Sequence, residues 1–434
     1  MYRHDDELTV MDWFCGAGGS SQGVHAVPGV RVERAANHWK LAIESHAANF
    51  PTTSHYQGDI RKAPVWDWPV TDIFWASPEC TNWSVAKGKR RDFANAMQGS
   101  LLDLLAGLED EEEPSAEEES RALMEEVPLY LRGVIERGGL VKAGIVENVV
   151  DVRAWDQWDR WLGEIHKMGY KTRIIALNSM HADPRSVHRA PQSRDRLYVG
   201  YWHESLGRDP DWDKWLRPRA WCGTCEQWVQ AIQSWKRPGM DMGRYRQQYV
   251  YRCPSTSCRN AVVEPEVLPA AAAIDWSIPG QRIGDRAKPL AEKTIARIQA
   301  GLAKFSRPVP MMVPTGGTWR DAAVSVGEPM PARTTRENDA LMVPPLVIPV
   351  EGREGKEAAS AHGPLRTMTT RNETGRAMSF SDEYVVLGNK REKVRQYGNA
   401  VTPNAAEILV CALVEAVTGE EISRYDTSQL AAAA

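Results

Sequence analysis

Leu8-Thr9-Val10-Met11-Asp12-Trp13-Phe14 runs directly into Cys15-Gly16-Ala17-Gly18-Gly19-Ser20-Ser21-Gln22-Gly23. The first seven residues have the length and apolar content of a buried strand, and a helix is expected after the glycines. A glycine-rich turn between strand and helix lets a ligand approach the backbone closely, so the pair reads as the opening unit of an α/β sheet. The spacing is neither the dinucleotide G-x-G-x-x-G nor a P-loop, because no G-K-[ST] follows. Nicotinamide dinucleotides and nucleoside triphosphates therefore lose ground as ligands.

A second such unit follows, with a strand over residues 30–39 and a helix to about residue 50. His38 and Trp39 end that strand, where a Rossmann-like sheet meets a bound ribose and adenine. Gly58-Asp59-Ile60 would end a third strand and could reach the adenine edge. Thr71-Asp72-Ile73-Phe74-Trp75-Ala76 gives a fourth strand, followed by Ser77-Pro78-Glu79-Cys80-Thr81-Asn82-Trp83-Ser84. The proline turns the chain, so Cys80 is expected on a loop at the strand's carboxyl end, where reacting groups gather in open α/β sheets. A cysteine there is a candidate nucleophile if its thiolate is favoured.

Residues 87–120 carry a basic and then an acidic block and read as a mobile insertion. A helix is expected over 121–136, with Leu123, Val127, Leu131 and Val134 on one face. Ala143-Gly144-Ile145-Val146-Glu147-Asn148-Val149 is a buried strand ending in a carboxylate. A buried acid is costly unless paired, so Glu147 is expected protonated or bound to a donor. Another strand covers 172–177, and Pro191-Gln192-Ser193-Arg194-Asp195-Arg196 leads into one more. Arg194 and Arg196 alternate on a strand entry and so share a side, where two forked donors suit a carbonyl or phosphate.

The chain has 434 residues, a net charge of −4 and seven cysteines. It is long enough for two or three units and has no global basic field. No apolar run is expected to span a membrane, and the charged start has no secretory pattern. Between residues 206 and 260 the balance reverses, to ten Lys/Arg against five Asp/Glu. That stretch holds Cys222-x-x-Cys225 and Cys253-x4-Cys258, amid Trp221, Trp228, Trp235, Tyr245, Tyr249 and Tyr251. Two cysteine pairs at this spacing fit a closed, four-thiolate structural zinc ribbon in a reducing compartment. Interleaved basic and aromatic residues suggest a nucleic-acid contact.

Beyond residue 308 the chain is rich in Pro, Gly and Thr. It repeats Pro329-x4-Thr334-Thr335-Arg336 as Pro364-x4-Thr369-Thr370-Arg371, two copies being too few for a solenoid. Gln396-Tyr397-Gly398-Asn399-Ala400-Val401-Thr402-Pro403-Asn404 opens an amphipathic helix to about residue 417.

In this order the stretches resemble the DNA cytosine-5 methyltransferases. Asp12 to Gly19 is similar to that family's cofactor loop, and Pro78-Glu79-Cys80 to its Pro-Pro-Cys-Gln nucleophile motif. Glu147-Asn148-Val149 resembles the Glu-Asn-Val motif, Gln192 to Arg196 the Gln-x-Arg-x-Arg motif, and Gly398-Asn399-Ala400-Val401 the carboxyl-terminal Gly-Asn-Ala-Val motif. Glu79, Thr81 and His38 depart from the family pattern.

The resemblance implies a Rossmann-like S-adenosylmethionine-dependent methyltransferase sheet with a smaller target-recognition domain. The expected division is 1–205 catalytic, 206–380 target-recognition (zinc ribbon 220–260, repeats 324–376), and 381–434 returning to the catalytic part. It implies Cys80, Glu147, Arg194 and Arg196 as catalytic groups. Asp12, Phe14, Gly16, Gly18, Gly19, Trp39, Asp59, Ile60, Pro78 and Asn399 would line the cofactor pocket, and Cys222, Cys225, Cys253 and Cys258 would hold zinc. The implied substrate is cytosine in double-stranded DNA, flipped from the duplex. A monomer in the cytoplasm of a bacterium or phage-infected host is expected, with a cognate restriction enzyme as a candidate partner. The rival readings are a catalytically silent zinc-ribbon DNA-binding protein and an RNA cytosine methyltransferase.

Overall fold

Hydrophobic alternation along β1 (Leu8–Trp13) decides which layer each residue meets. Met11 and Trp13 enter one core with Phe74 and Val146, while Val10 enters another with Trp75 and Ile145. The computed structural model describes residues 7–78, 116–273, 286–292, 294–296, 298–299, 310–315, 322–332, 339–342 and 371–425.

The chain continues through α1 (Gly19–His25), β2 (Val30–Asn37), α2 (Lys40–Asn49), β3 (Ser54–Gln57) and β4 (Ile73–Ala76). Then come α3 (Ala116–Glu136), β5 (Ala143–Asn148), α4 (Trp158–Lys167), β6 (Tyr170–Asn178), β7 (Gln192–Ser193) and β8 (Asp195–His203). Six of these strands and β8 form one seven-stranded sheet, ordered β3-β2-β1-β4-β5-β8-β6. β1 to β5 run parallel, and β8 is antiparallel to β5 and β6. The order reverses between β1 and β4, the crevice where an open α/β sheet takes its ligand. Because β8 runs backwards, its first residues join the carboxyl ends of β4 and β5.

One face is covered by α3 and α4, with Met124, Val127, Tyr130, Leu131, Val134 and Trp161 fully buried. α3 begins at Ala116, so the last residues of the expected insertion are helical; residues 79–115, Cys80 among them, lie outside the described residues. On the other face lies α8 (Pro403–Thr418), preceded by α5 (Trp212–Leu216), α6 (Arg371–Ala377) and α7 (Lys390–Asn399). Pro403 opens α8 and left-handed Gly419 (φ 76) closes it, as helix ends favour. The stretch Lys390–Thr418 has a window of mean hydropathy 1.5, long and apolar enough for a membrane span, contrary to the expectation from sequence. That window is 89% buried and broken at Ala400–Thr402, so it forms the sheet's core layer.

The cysteine-rich stretch forms two small sheets. β9 (Arg219–Cys222) pairs with β10 (Gln227–Gln230), and β11 (Ile232–Trp235), β12 (Tyr249–Arg252) and β13 (Val262–Val263) make the second. Ala220, Cys222, Tyr249, Tyr251 and Cys253 share a hydrophobic core with the first face of the large sheet. Beyond it β14 (Met311–Pro314), β15 (Val324–Ser325) and β17 (Asp339–Met342) form a further sheet, and β16 (Met330–Pro331) pairs in parallel with β7. The first threonine-arginine repeat thus starts beside Gln192-Ser193. Both Thr-Thr pairs lie outside the described residues.

Candidate active site and thiolate cluster

Glu147, next to last in β5, is 8% exposed, and its Oε1 lies 3.2 Å from Arg196 Nε. Burial raises its pKa, partly offset by Arg196, Arg194 and a hydrogen bond from Ser77. Asn148 donates from Nδ2 to the Pro78 carbonyl at 3.3 Å, and its Oδ1 accepts from the Val149 N–H at 2.8 Å. Ser77 N–H donates to the Trp13 carbonyl at 3.1 Å. The chain leading to Cys80 is therefore fixed beside Glu147 and Arg196 up to Pro78. Asn148, visible in sequence only as part of a motif, proves to be the residue that ties the two loops together.

Arg194 is placed differently from Arg196. It is buried, and its Nη2 donates to the carbonyls of Gly398 and Ala400, each at 3.1 Å. The two arginines share a strand entry, and Arg194, whose charge also acts on Glu147, binds the carboxyl-terminal loop. Asn404 Nδ2 adds bonds to the carbonyls of Ser179 (2.8 Å) and Ala182 (2.9 Å), so this loop is anchored to the sheet from both ends. Asn399, between these anchors, is exposed.

The glycine loop follows β1 with Phe14 (φ 61), Gly16 (φ 54) and Gly18 (φ 95) all left-handed. A Cβ on Gly19 would lie 1.9 Å from the Val401 carbonyl, so this glycine admits the carboxyl-terminal loop. Around Gly16 a Cβ would meet nothing within 4 Å. That leaves open space over a backbone already curved to receive a ligand. Asp12 is fully buried: Oδ2 accepts from Ser20 (2.6 Å) and Ser21 (2.7 Å), while Oδ1 has no partner among the described residues. Burial, opposed by the two serines, pushes its pKa up to about 6. An orphaned carboxylate oxygen beside an open glycine turn fits a ligand with an ammonium group, as S-adenosylmethionine has.

Two expected cofactor contacts carry a cationic neighbour that sequence did not reveal. The Arg395 guanidinium lies over the Trp39 ring at 4.7 Å, and Arg61 grips the Asp59 carboxylate with Nε and Nη2 (3.0 and 2.7 Å). That hydrogen bonding depresses the Asp59 pKa. His38 is exposed, and Ile60 is buried at the start of a 3-10 turn.

Cys222, Cys225, Cys253 and Cys258 bring their sulfurs within 4.8 Å of one another. Four sulfurs at about 2.3 Å from one zinc would be roughly 3.8 Å apart, so a small contraction completes a tetrahedral site. The Ala261 N–H at its sulfur brings the Cys258 pKa down to about 7, while at Cys253 the Ser255 N–H is outweighed by burial and the neighbouring sulfurs, which push it up to about 12. Glu226 (φ 52) and Arg259 (φ 54) follow second cysteines of their pairs in left-handed conformation, which turns the chain around the cluster. On the outer face of this hairpin Trp221 and Trp228 pair across the strands, each nearly half exposed, with Arg219 stacked over Trp228 at 4.0 Å. The two other described cysteines, Cys15 and Cys411, are buried with raised pKa values and make poor nucleophiles.

The fold is a mixed, Rossmann-like α/β sheet with its polar groups gathered at the switch point. Solved structures share the fold: a mutant DNMT2 from Spodoptera frugiperda (TM-score 0.51, 14% identity, 94% of this chain and 100% of that one) and Dnmt2 from S. pombe (TM-score 0.50, 14% identity, 95% and 100%). Residues 8–116 match the model of the C-5 cytosine-specific DNA methylase family. The Type II methyltransferase M1.ScrFI of Lactococcus lactis subsp. cremoris is 26% identical over 219 residues, 48% of this chain and 45% of that protein. The match thus spans about half the length of each. Both matches are likenesses to cytosine-5 DNA methylases, and the family match covers the first quarter of the chain.

Proposed function

We propose that this protein methylates carbon 5 of cytosine in duplex DNA, with Cys80 as nucleophile. The observation that carries the reading is the junction at Pro78. Asn148 holds the carbonyl two residues before Cys80, while Ser77, Glu147 and Arg196 meet beside it. Carbon 5 of cytosine is a weak nucleophile. Addition of the Cys80 thiolate to carbon 6 forms a C–S bond and makes carbon 5 enamine-like. Charge then builds toward N3, where a buried Glu147 can donate its proton. Arg196, 3.2 Å from Glu147, suits the O2 side of the ring. Arg194 acts at one remove, as a positioning residue that holds the Gly398–Val401 loop.

S-adenosylmethionine supplies the electrophilic methyl group when bound. Asp12, with Gly16, Gly18 and Gly19, would take its methionine end, and Phe14, Trp39, Asp59, Ile60, Pro78 and Asn399 would surround the nucleoside. Arg61 on Asp59 and Arg395 on Trp39 must shift or share their partners for adenine to enter. The four thiolates would hold one structural zinc ion and leave no open coordination position, so the metal shapes the recognition part without entering the chemistry. The exposed Trp221–Trp228 pair with Arg219 supports a nucleic-acid contact, since indole faces stack on bases and Arg meets phosphate. We place the protein in a bacterial or phage-infected cytoplasm, as a monomer, with a cognate restriction enzyme as candidate partner.

The test is bisulfite sequencing of DNA from cells expressing the wild-type chain and Cys80→Ser. Protected cytosines at one sequence context, lost in the variant, support the reading. Protection confined to cellular RNA would move the substrate to RNA, and protection surviving in Cys80→Ser would remove the nucleophile.

A further inference from the structure

Besides the Gln233 bond to the Ala176 carbonyl of β6 (2.9 Å), the cysteine-rich module is joined to the large sheet at two places that flank Glu147 and Arg196. Arg153 makes a forked bond to Asp241 (Nε–Oδ1 3.0 Å, Nη2–Oδ2 2.9 Å), and Arg244 donates to Asp151 at 2.8 Å. Asp151 and Arg153 lie in the 3-10 turn Val150–Ala154, which begins three residues after Glu147. On the other flank Asp195 stands between Arg194 and Arg196. Its Oδ1 accepts from the Tyr245 N–H at 3.0 Å and from the Tyr249 hydroxyl at 3.4 Å. One segment, residues 241–249, therefore reaches both arms of the Glu147–Arg196 pair, and β12 carries it straight into Cys253.

Apolar packing attaches this segment, and the charged groups orient it. His181 packs edge-on against Tyr245 (4.3 Å) and Tyr251 (5.0 Å), and burial keeps it neutral by pushing its pKa to about 3. Tyr249 and Tyr251 are almost fully buried. By contrast, the side chains of the pairs are 33% and 44% exposed for Arg153–Asp241, and 39% and 23% for Arg244–Asp151. Pairs this exposed are screened by water and contribute too little to attach a module. A forked guanidinium–carboxylate pair does fix direction, and it is direction that the reacting groups need.

We propose that residues 241–249 are a brace through which the thiolate-cluster module sets the separation and angle of Glu147 and Arg196. The inference rests on these two residues being the groups that act on the base. It makes Asp241, Arg244 and Tyr249 positioning residues for a reaction whose atoms they never touch. It also means that target engagement by the module and the geometry of the reacting groups are mechanically joined.

The full-length, zinc-loaded protein carrying Asp241→Asn with Arg244→Gln, and separately Tyr249→Phe, tests this. Zinc content and S-adenosylhomocysteine affinity should stay within twofold of wild type, and KM for substrate DNA should rise no more than about threefold. The double variant should lose at least tenfold in kcat, because displacements near 1 Å can cost about a hundredfold. The alkaline limb of its kcat–pH profile should move to higher pH, since Arg196 would hold the Glu147 carboxylate less well. A purely structural contribution would lower thermal stability and leave that limb in place. The swap Arg153→Asp with Asp241→Arg rebuilds a reversed pair and should recover kcat toward wild type.

Amide hydrogen exchange gives a second reading that needs no turnover. Chelating zinc from the wild-type protein should speed exchange across residues 150–154 and 194–196. A folded, zinc-loaded double variant with wild-type kcat and pH profile would overturn the brace, as would unchanged protection there after chelation. A wild type that methylates no nucleic acid would defeat the proposed function instead, leaving the exchange comparison to decide the brace.

Discussion

Glu147 sits next to last in a six-residue strand buried along its whole length, whereas Cys222 ends a four-residue strand buried at every second residue. Both places gather groups that resist burial. At the sheet edge, the cost of the carboxylate is met by two apolar layers and an arginine at 3.2 Å, so the site exists before any ligand arrives. At the thiolate cluster the strands are two to four residues long, and four sulfurs face each other at the outer end of the core that Tyr249 and Tyr251 share with the sheet. A metal bound there would add to what that packing supplies. The sheet holds its reacting groups by hydrophobic burial, and the hairpins offer four sulfurs to a metal, so the two should fail under different treatments.

The largest expected effect separates them from the sheet side. Glu147→Gln keeps the shape and a donor N–H but has no proton to give, so kcat should fall by about 10²–10⁴. Metal analysis should still find about one zinc per chain, as one four-thiolate site requires. Loss of zinc in this variant would mean that the two regions are not distinct supports.

Next in size is the same cut made from the other side. Cys253→Ser should drop zinc to near zero and weaken DNA binding, with apparent metal energies of about 10–16 kcal/mol at stake in such sites. Through the 241–249 brace it should also lower kcat about tenfold, a scale set by the cost of misplaced groups. Isothermal titration should show S-adenosylhomocysteine binding retained, because Asp12 and Gly16 belong to the β1 loop on the opposite side of the switch point. Full sequence-specific methylation by metal-free protein would remove zinc from the account.

The smallest effect concerns Asp12, whose pKa lies at about 6, above its ordinary value of 3.8. A carboxyl raised on folding favours the folded state most below its unfolded pKa. That contribution is lost as pH rises through about 6, so apo stability should decline over pH 4–6. Ligand binding has the opposite sign, because an ammonium group needs the ionised carboxylate. Affinity for S-adenosylhomocysteine should therefore rise about tenfold between pH 5 and 7, following the ionised fraction of a group near 6. Asp12→Asn should bind more weakly and flatten that dependence, as read by titration at several pH values.

The sheet was largely legible because its strands are apolar runs separated by glycine and proline turns. β1, β2, β4 and β5 lie within a residue or two of their expected bounds, and four cysteines at ribbon spacing do converge. What stayed hidden depends on residues far apart in the chain. Nothing local to Arg194 announces that it binds the Gly398 and Ala400 carbonyls, some 200 residues away. Nor could Asp59 be known to bind Arg61 rather than lie open, since either face of a short turn is equally good locally. The separation of a zinc part from a catalytic part was natural from composition. The contacts at Asp151, Arg153 and Asp195 run against it, because charge pairs across a module boundary leave no periodic signal. α8 reads as amphipathic at its polar entry and is buried on nearly all sides once the sheet and α1 close on it.

The central claim is that the loop held at Pro78 delivers a cysteine to carbon 6 of a cytosine beside Glu147 and Arg196. Its most direct test is denaturing gel and mass analysis of the protein incubated with S-adenosylmethionine and duplex DNA carrying 5-fluorocytosine at a methylated site. Fluorine cannot leave as a proton does, so the adduct should be trapped. The expected result is a covalent complex whose peptide map ends on Cys80, absent with Cys80→Ser and strongly reduced with Glu147→Gln. No complex on a site confirmed by bisulfite sequencing, or a complex mapped to another cysteine, would contradict it.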